Sequence, residues 1–276
     1  MKHNEFTWQT GDNLRIAART WQPEDEPRAV ICLVHGMGEH CMRYVHLAEY
    51  FTQKGYAVTT FDLRGYGQSE GQRGHSSSYQ ALMNDISHFL GEAKKSFPDL
   101  PRFLYGHSLG GNLVLNYTLR NNSELPGVIV TGPWLRLSFE PGKVQMALAR
   151  IMRSAWPTFS QSSALDTKAL ARDPKVVQDY INDPLVHDKI SARMFMDAFQ
   201  AGRWALEHAS EFNLPLLLMH GDADGLTSAK ASRAFAENGP KNCTLKIWEG
   251  FYHELHNEPE KQEVFTFITE WLERLS

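Results

Sequence analysis

The chain has 276 residues, 42% of them hydrophobic and 22% charged, which suits one large α/β domain with a sizeable core. The formal net charge is −4 and the Lys and Arg residues are scattered, so nucleic acid is not an expected partner. The three cysteines form no Cys-x-x-Cys pair, which favours a reducing, cytoplasmic location. No segment is apolar over the length of a membrane span or resembles a secretory leader, so neither is expected.

The chain alternates segments typical of strands with segments typical of helices. Strands are expected as a hairpin over 6–21 and as short apolar runs at 29–34, 56–61, 103–105, 127–132, 215–220 and 244–248. Amphipathic helices are expected at 44–54, 78–96 and directly after residue 110. This alternation predicts a mostly parallel central sheet flanked by helices.

Residues 134–212 interrupt this alternation. Helices are expected at about 142–153, 174–181 and 189–208, with no buried strand between them. A helical insertion between two strands of a parallel sheet is most simply a cap over the strand ends, where ligands bind. We therefore expect a core formed by 1–133 and 213–276 and a cap formed by 134–212. Its four methionines, Met146, Met152, Met194 and Met196, suit an acyl chain, although ordinary core packing explains each of them equally well.

The segment around Ser108 carries the chemistry. Gly106-His107-Ser108-Leu109-Gly110 is a Gly-x-Ser-x-Gly pentapeptide, which should occur by chance in roughly one chain in ten of this length. An apolar strand before it and an apolar-periodic helix after it make it a nucleophile elbow, a sharp turn that exposes the serine hydroxyl. Glycines are expected on both sides of Ser108, because side chains there would clash as strand and helix close together.

A glycine-rich loop, His35-Gly36-Met37-Gly38-Glu39-His40, follows the strand at 29–34. In hydrolases with this elbow, the corresponding loop donates one N–H to the oxyanion, and the residue after the nucleophile donates the other. We therefore predict the backbone amides of Met37 and Leu109 as the oxyanion hole. The alternative is a plain glycine-rich turn.

An acid and a base follow Ser108 in the order that this fold requires. The acid is Asp222 or Asp224, after the strand at 215–220, and Asp224 is favoured because Asp222 can cap the turn at the strand end. The base is His253 or His256, after the strand at 244–248. We favour His253, with the carboxylate holding its tautomer while it takes the serine proton.

Several motifs together resemble the monoglyceride lipases of the α/β-hydrolase superfamily and the related bacterial lysophospholipases. The resemblance covers nearly the whole chain, and its motifs lie at 35–44, 65–71, 106–111, 180–185 and 249–256. It implies an α/β-hydrolase fold with an inserted helical cap, and it supports Asp224 and His253 as acid and base. It also implies a polar pocket for a glycerol head group, formed by Glu39, Arg43, Tyr180 and His256. The alternative is that Glu39 and Arg43 form a structural ion pair and that His256 is a surface histidine.

The leading hypothesis is a serine esterase that cleaves monoacylglycerols through an acyl-enzyme, with no cofactor and no metal. A lysophospholipase is the main alternative, and Arg43, Arg136 or Arg203 could then bind the phosphate. A general carboxylesterase uses the same residues. A peptidase would need carboxylates for a free amine, and Glu140, Asp179 and Glu207 show no such arrangement. A non-catalytic binding module is disfavoured by the complete set of Ser108, Asp224 and His253.

The segment 144–152 has apolar residues at helical spacing, with Arg150 on the opposite face. Transient contact with a membrane surface is therefore a hypothesis, against the more common explanation that such a stripe packs inside the cap. Acyl-chain length and oligomeric state have no signal in the sequence.

Overall fold

The computed structural model describes residues 1–121 and 124–275. The strands in this part of the chain are β1 (Lys2–Gln9), β2 (Arg15–Gln22), β3 (Ala29–Val34), β4 (Tyr56–Phe61), β5 (Arg102–His107), β6 (Val128–Thr131), β7 (Ser160–Ser162), β8 (Lys189–Ser191), β9 (Leu216–Gly221) and β10 (Cys243–Trp248). All except β7 and β8 form one sheet in the order β1-β2-β4-β3-β5-β6-β9-β10. The β1–β2 and β2–β4 pairs are antiparallel and the other pairs are parallel, as the sequence predicted for most of the sheet.

The helices are α1 (Val45–Gln53), α2 (Tyr79–Ser96), α3 (Leu109–Arg120), α4 (Lys143–Ala155), α5 (Pro174–Asn182), α6 (Ala192–Glu207), α7 (Ala229–Asn238) and α8 (Lys261–Glu273). The helix expected at 78–96 begins with Ser78 as its N-cap, whose hydroxyl accepts a hydrogen bond from Ala81 N–H. None of the helices in the described residues is long and apolar enough to cross a membrane.

The central strands are buried on both faces, which explains their continuous apolar sequence. In β3, Val30, Cys32 and Val34 point into one hydrophobic cluster, while Ile31 and Leu33 point into another on the opposite face. Residues from α2, α3 and α6 cover the first face, and residues from α1 and α8 cover the second. The parallel strands therefore end together at one edge of a fully covered sheet.

The segment between β6 and β9 contains α4, α5 and α6, as predicted, but also a two-stranded ribbon of β7 and β8. The expectation of no buried strand there is wrong, because Ile190 and Ser191 of β8 are buried and α6 begins only at Ala192. A strand of three residues is too short to show an alternating pattern in sequence. The helix α6 is tied to α3, since the side-chain amides of Asn112 and Asn116 donate to the carbonyls of Ala198 and Ala201.

Candidate active site

Ser108 lies in the turn between β5 and α3 with φ 54° and ψ −114°, a backbone conformation that residues other than glycine rarely adopt. Its backbone N–H donates to the Thr131 carbonyl at 2.9 Å, which anchors the turn to β6. A Cβ on Gly106 would overlap the Gly110 carbonyl, and a Cβ on Gly110 would overlap the Val34 carbonyl. The close approach expected from the two glycines is therefore confirmed.

The side chains of Ser108, His253 and Asp224 form a hydrogen-bonded triad. His253 Nε2 lies 2.9 Å from Ser108 Oγ, and His253 Nδ1 lies 2.7 Å from Asp224 Oδ2. This geometry allows Nε2 to accept the serine proton while Nδ1–H donates to the carboxylate. These three residues are the ones that the sequence analysis selected, brought together from loops after β5, β9 and β10.

The carboxylate of Asp224 is fully buried and surrounded by hydrogen-bond donors. Oδ1 accepts from the backbone amides of Leu226 and Thr227 at 2.7 and 3.0 Å, and Oδ2 accepts from Thr227 Oγ1 at 2.8 Å. Burial opposes ionisation, but the neighbouring His253 and His220 outweigh it and hold the pKa of Asp224 well below its usual value. The competing Asp222 is exposed and accepts a hydrogen bond from Gly250 N–H at 2.6 Å, which closes the turn.

His253 is buried beside two other histidines. Burial alone would lower its pKa, yet the charge and hydrogen bond of Asp224, with smaller effects of Glu254 and Glu39, raise it above the ordinary value. The ring centroid of His107 lies 4.8 Å from that of His253 and 4.8 Å from that of His256. His253 alone of the three makes a hydrogen bond to Ser108.

His256 is fully buried, so the alternative of a surface histidine is wrong. Its ring stacks on Tyr44 with centroids 4.6 Å apart, and it does not line the cavity that contains Ser108. Burial lowers its pKa well below the ordinary value, and the neighbouring His107 lowers it further. His256 therefore lies outside the cavity lining, and its assignment to a head-group pocket stays a prediction.

The loop after β3 is held from both sides. His35 Nδ1–H donates to the Gly36 carbonyl at 2.7 Å, while its Nε2 accepts from Leu63 N–H at 2.9 Å. Burial lowers the pKa of His35 to about 4, so the ring is neutral and can make both bonds.

Met37 lines the same cavity as Ser108, and Leu109 is the first residue of α3. Their role as the oxyanion hole stays a prediction.

Glu39, Arg43 and Tyr180 meet beside this loop, together with Glu254. Glu39 Oε1 accepts hydrogen bonds from Gly36 N–H at 2.6 Å and from the Tyr44 hydroxyl at 2.7 Å. Arg43 lies 3.4 Å from Glu39 Oε2, and its guanidinium carbon lies 4.8 Å from the centre of the Tyr180 ring. Glu39 lines the cavity, whereas Arg43 and Tyr180 do not.

Glu254 is a cavity residue that the sequence analysis missed. Arg43 Nη2 donates to both of its carboxylate oxygens, at 3.0 and 2.8 Å. Burial and the nearby Glu254 raise the pKa of Glu39 to about 7, against the opposing charge of Arg43. The only sequence signal for Glu254 was its position directly after the base, in a motif already quoted for its two histidines.

A cavity of about 620 Å³ opens from Ser108 under α4. Most of its lining is apolar and includes Trp134, Leu137, Phe139, Met146, Leu148, Met152, Phe159, Ile190 and Phe195. Met146 and Met152 thus face the cavity, whereas Met194 and Met196 are buried in the protein core. A mostly apolar cavity of this size, with Ser108, His253, Glu39 and Glu254 among its lining residues, suits a small amphipathic ligand.

The other charged residues considered from the sequence do not line this cavity. Arg203 and Glu207 lie on a separate cleft along α6, and Arg136, Glu140 and Asp179 belong to neither. Within residues 1–121 and 124–275, no group of three or more His, Cys, Asp or Glu side chains could hold a metal ion.

A family model described as "Serine aminopeptidase, S33" matches residues 25–260. The chain is 38% identical over 266 residues to an uncharacterised abhydrolase domain-containing protein of Dictyostelium discoideum, covering 95% of this chain but 28% of that longer protein. It is 34% identical over 271 residues to a monoacylglycerol lipase of Mycolicibacterium smegmatis, covering 98% of this chain and 96% of the relative.

Solved structures of monoacylglycerol lipases also match the chain over its whole length. The crystal structure of the Paleococcus ferrophilus monoacylglycerol lipase matches with a TM-score of 0.85 and 35% identity, over 100% of both chains. A soluble variant of the Saccharomyces cerevisiae monoglyceride lipase, in complex with a substrate analogue, matches with a TM-score of 0.88 and 25% identity, over 100% of this chain and 95% of that one. The chain therefore belongs to the serine aminopeptidase S33 family and has the α/β-hydrolase fold that it shares with monoacylglycerol lipases.

Proposed function

We propose that this protein is a serine hydrolase that cleaves monoacylglycerols to a fatty acid and glycerol. The observation that carries the proposal is the hydrogen-bonded triad of Ser108, His253 and Asp224, two members of which line a mostly apolar cavity. The two monoacylglycerol lipases that match nearly the full chain, one of them at 34% identity and one at 35%, support the same substrate class.

The reaction begins when Ser108 Oγ attacks the ester carbonyl and His253 Nε2 takes its proton. Asp224 keeps His253 in the tautomer with a protonated Nδ1 and stabilises the imidazolium that forms. The amides of Met37 and Leu109 are proposed to bind the oxyanion of the tetrahedral intermediate. His253 then protonates the departing glycerol, and water, activated by the same base, releases the fatty acid from Ser108.

The charges beside the triad favour a neutral head group. The side chains of Glu39, Arg43 and Glu254 carry a formal charge of −1 when both carboxylates are ionised, and Arg43 is already paired with both of them. A phosphate beside these side chains would meet two carboxylates and an Arg43 guanidinium that is already paired with both, which is electrostatically unfavourable. Glycerol hydroxyls can instead donate hydrogen bonds to the carboxylates. A monoacylglycerol is therefore preferred to a lysophospholipid.

A peptidase and a non-catalytic binding protein are less well supported. An aminopeptidase would need free carboxylates for the α-amine of its substrate, yet those of Glu39 and Glu254 face Arg43. A non-catalytic binding module would not require His253 Nε2 to lie 2.9 Å from Ser108 Oγ. It would also not require Ser108 to adopt a strained backbone conformation. General carboxylesterase activity on small esters is expected of the same triad.

We propose that 134–212 acts as the cap over a core formed by 1–133 and 213–276, and that it touches membranes transiently. Residues of α4 line the cavity on one side, while Val144 and Ile151 lie outside it and are 82% and 62% exposed. Leu148 lines the cavity and is also 58% exposed. Phe139 and Trp156, at 59% and 58% exposure, extend this apolar surface at both ends of α4. Exposed apolar side chains of this kind favour insertion into a lipid interface.

A reducing, cytoplasmic location is proposed from the three free cysteines.

The test offers the purified protein equal amounts of a monoacylglycerol and a lysophosphatidylcholine with the same acyl chain, with Ser108→Ala as the background. Glycerol released in large excess over the phosphorylated head group is the expected result. Preferential release of glycerophosphocholine would move the assignment to a lysophospholipase. Equal rates for the wild type and Ser108→Ala on both lipids would contradict an ester hydrolase altogether.

A further inference from the structure

His220 is a second histidine on the acid of the triad. It lies near the end of β9 with a fully buried side chain, and its Nε2 is 3.0 Å from Asp224 Oδ2. Its Nδ1 is 2.8 Å from the hydroxyl of Ser232, a buried residue of α7. The same Asp224 oxygen lies 2.7 Å from His253 Nδ1. Two imidazoles therefore share one carboxylate oxygen, and only one of them reaches Ser108.

We propose that His220 is a positioning residue, which donates its Nε2–H to Asp224 and holds this carboxylate in the orientation that His253 needs. The inference rests on the proposed function, since it assigns a role within the triad of a serine hydrolase. His220 does not line the cavity. It therefore acts on the reaction through Asp224 and not by contact with the substrate.

The proposed role requires a proton on Nε2 of His220. An ionised Asp224 can only accept hydrogen bonds, so Nε2 of His220 must carry a proton. Ser232 Oγ lies 2.8 Å from Nδ1 and can donate to it, and the proposed form of His220 is therefore the neutral tautomer with its proton on Nε2. A cationic His220 would instead compete with the imidazolium that His253 becomes during the reaction, because both would lie against one negative charge.

The position of Asp224 depends on donors to both of its oxygens. Oδ1 is fixed by the amides of Leu226 and Thr227, and Oδ2 is approached by His220 and by Thr227 Oγ1. Thr227 Oγ1 also lies 3.0 Å from the Gly132 carbonyl, so its single proton is contested. His220 Nε2 lies nearer to Asp224 Oδ2, at 3.0 Å, than to Thr227 Oγ1, at 3.3 Å, so besides His253 it is the side-chain donor best placed for Oδ2. Its removal leaves a more basic and less constrained carboxylate.

Two effects follow when the residue at position 220 can no longer donate a hydrogen bond to Asp224. The turnover number should fall, because His253 is held less well, and the pKa of His253 should rise, because a more basic Asp224 attracts its proton more strongly. The acid limb of the pH profile of kcat/KM would then move to higher pH. The other titratable groups that face His253 are unchanged by this substitution; they are Glu39, Glu254, His107 and His256.

The experiment compares His220→Leu, which has no donor, with His220→Gln, whose amide can still donate to Asp224. Both are assayed on a monoacylglycerol and on a chromogenic short-chain ester. For His220→Leu we expect kcat to fall about tenfold with little change in KM, and the acid limb to move upward. His220→Gln should retain most of kcat and the wild-type pH profile. Similar kinetics of the two variants would overturn the proposal, as would a wild-type profile for a folded His220→Leu.

A measurement on the unmodified protein keeps the proposal testable if His220→Leu does not fold. In ¹⁵N-histidine NMR spectra, His220 should be a neutral ring protonated on Nε2, and protonation on Nδ1 alone would refute the assignment. His208→Gln, at the C-cap of α6 and outside the cavity lining, is the matched control and should leave kcat and the pH profile unchanged. The proposed function fails separately, if the wild type is no more active than Ser108→Ala.

Discussion

The guanidinium of Arg43 donates from one nitrogen to both carboxylate oxygens of Glu254, at 3.0 and 2.8 Å, next to the base His253. Glu254, which follows the base directly in sequence, thereby compensates the charge of Arg43. Since both partners are almost fully buried, the pair is not screened by solvent. This relationship bears directly on which head group the site accepts.

Replacing Glu254 by Gln should relax the discrimination against anionic head groups. The charge of Arg43 would then be opposed by Glu39 alone, so a phosphate would meet less repulsion. We expect the ratio of kcat/KM for lysophosphatidylglycerol to that for the matching monoacylglycerol to rise about tenfold. The measurement is the release of both head groups from substrates with one acyl chain.

Glu260→Gln serves as the control for this charge change. Glu260 is ion-paired with Arg172 and is 44% exposed, and it does not line the cavity. Its substitution should leave the substrate ratio as in the wild type. An unchanged ratio in Glu254→Gln would mean that this carboxylate does not select the head group.

The two aspartates after β9 should differ sharply when each is replaced by Asn. Asp224→Asn removes the charge that fixes the tautomer of His253, and kcat should fall by about four orders of magnitude. Asp222→Asn alters only an exposed hydrogen bond to Gly250 N–H and should retain nearly full activity. Steady-state rates on a chromogenic ester make the comparison. Comparable losses in both variants would argue against Asp224 as the acid.

Activity should decline towards acid pH with a midpoint above the ordinary value of 6.5 for histidine. His253 must be neutral to accept the proton of Ser108, and the neighbouring Asp224 raises its pKa despite burial. Activity is therefore lost as the pH falls through this raised pKa. A profile of kcat/KM from about pH 5 to about pH 9 provides the measurement. An acid limb centred below 6.5 would be inconsistent with the charge environment described for His253.

Glu39 should make the stability of the protein depend on pH. Its pKa is raised from 4.5 to about 7 on folding, chiefly by burial, so between these values the folded chain holds a proton that the unfolded chain has released. The free energy of unfolding contributed by this group therefore decreases as the pH rises through that interval. Glu39→Gln lacks this dependence, while its amide oxygen can still accept from Gly36 and Tyr44.

The measurement for Glu39 is the unfolding free energy of both proteins at about pH 5 and about pH 8. Relative to the wild type, Glu39→Gln should gain about 2 kcal/mol of stability over this change. The Glu260→Gln variant should show no such gain. A difference between Glu39→Gln and the wild type that stays constant with pH would contradict the raised pKa.

The exposed face of α4 should contribute to binding at lipid surfaces. The double variant with Val144→Gln and Ile151→Gln removes two apolar side chains that are 82% and 62% exposed and do not line the cavity. Co-sedimentation with vesicles of phosphatidylcholine and phosphatidylglycerol should weaken about tenfold, while hydrolysis of a water-soluble ester is retained. Ile181→Gln, at an exposed position on α5, is the control. Equal sedimentation of the double variant and the wild type would contradict the proposed membrane contact.

The sequence predicted those features that depend on local pattern and chain order. Continuous apolar runs identified the buried parallel strands, and glycines on both sides of Ser108 identified the elbow. Polar residues at the ends of parallel strands meet at one edge of a sheet, which limited the acid to Asp222 or Asp224 and the base to His253 or His256. The resemblance to monoglyceride lipases supported Asp224 and His253. The ribbon of β7 and β8 escaped detection, since strands of three mostly polar residues carry no periodic signal.

Only the tertiary structure decided which side chains pair across distant segments. Arg43 and Glu254 are 211 residues apart, and nothing in either local sequence indicates that one neutralises the other. His220 shares Asp224 with His253, and His256 stacks on Tyr44 away from the cavity. The physical reason is that a local pattern determines which face of an element is buried, whereas the partner of a buried charge depends on how the loops of several elements pack at one place.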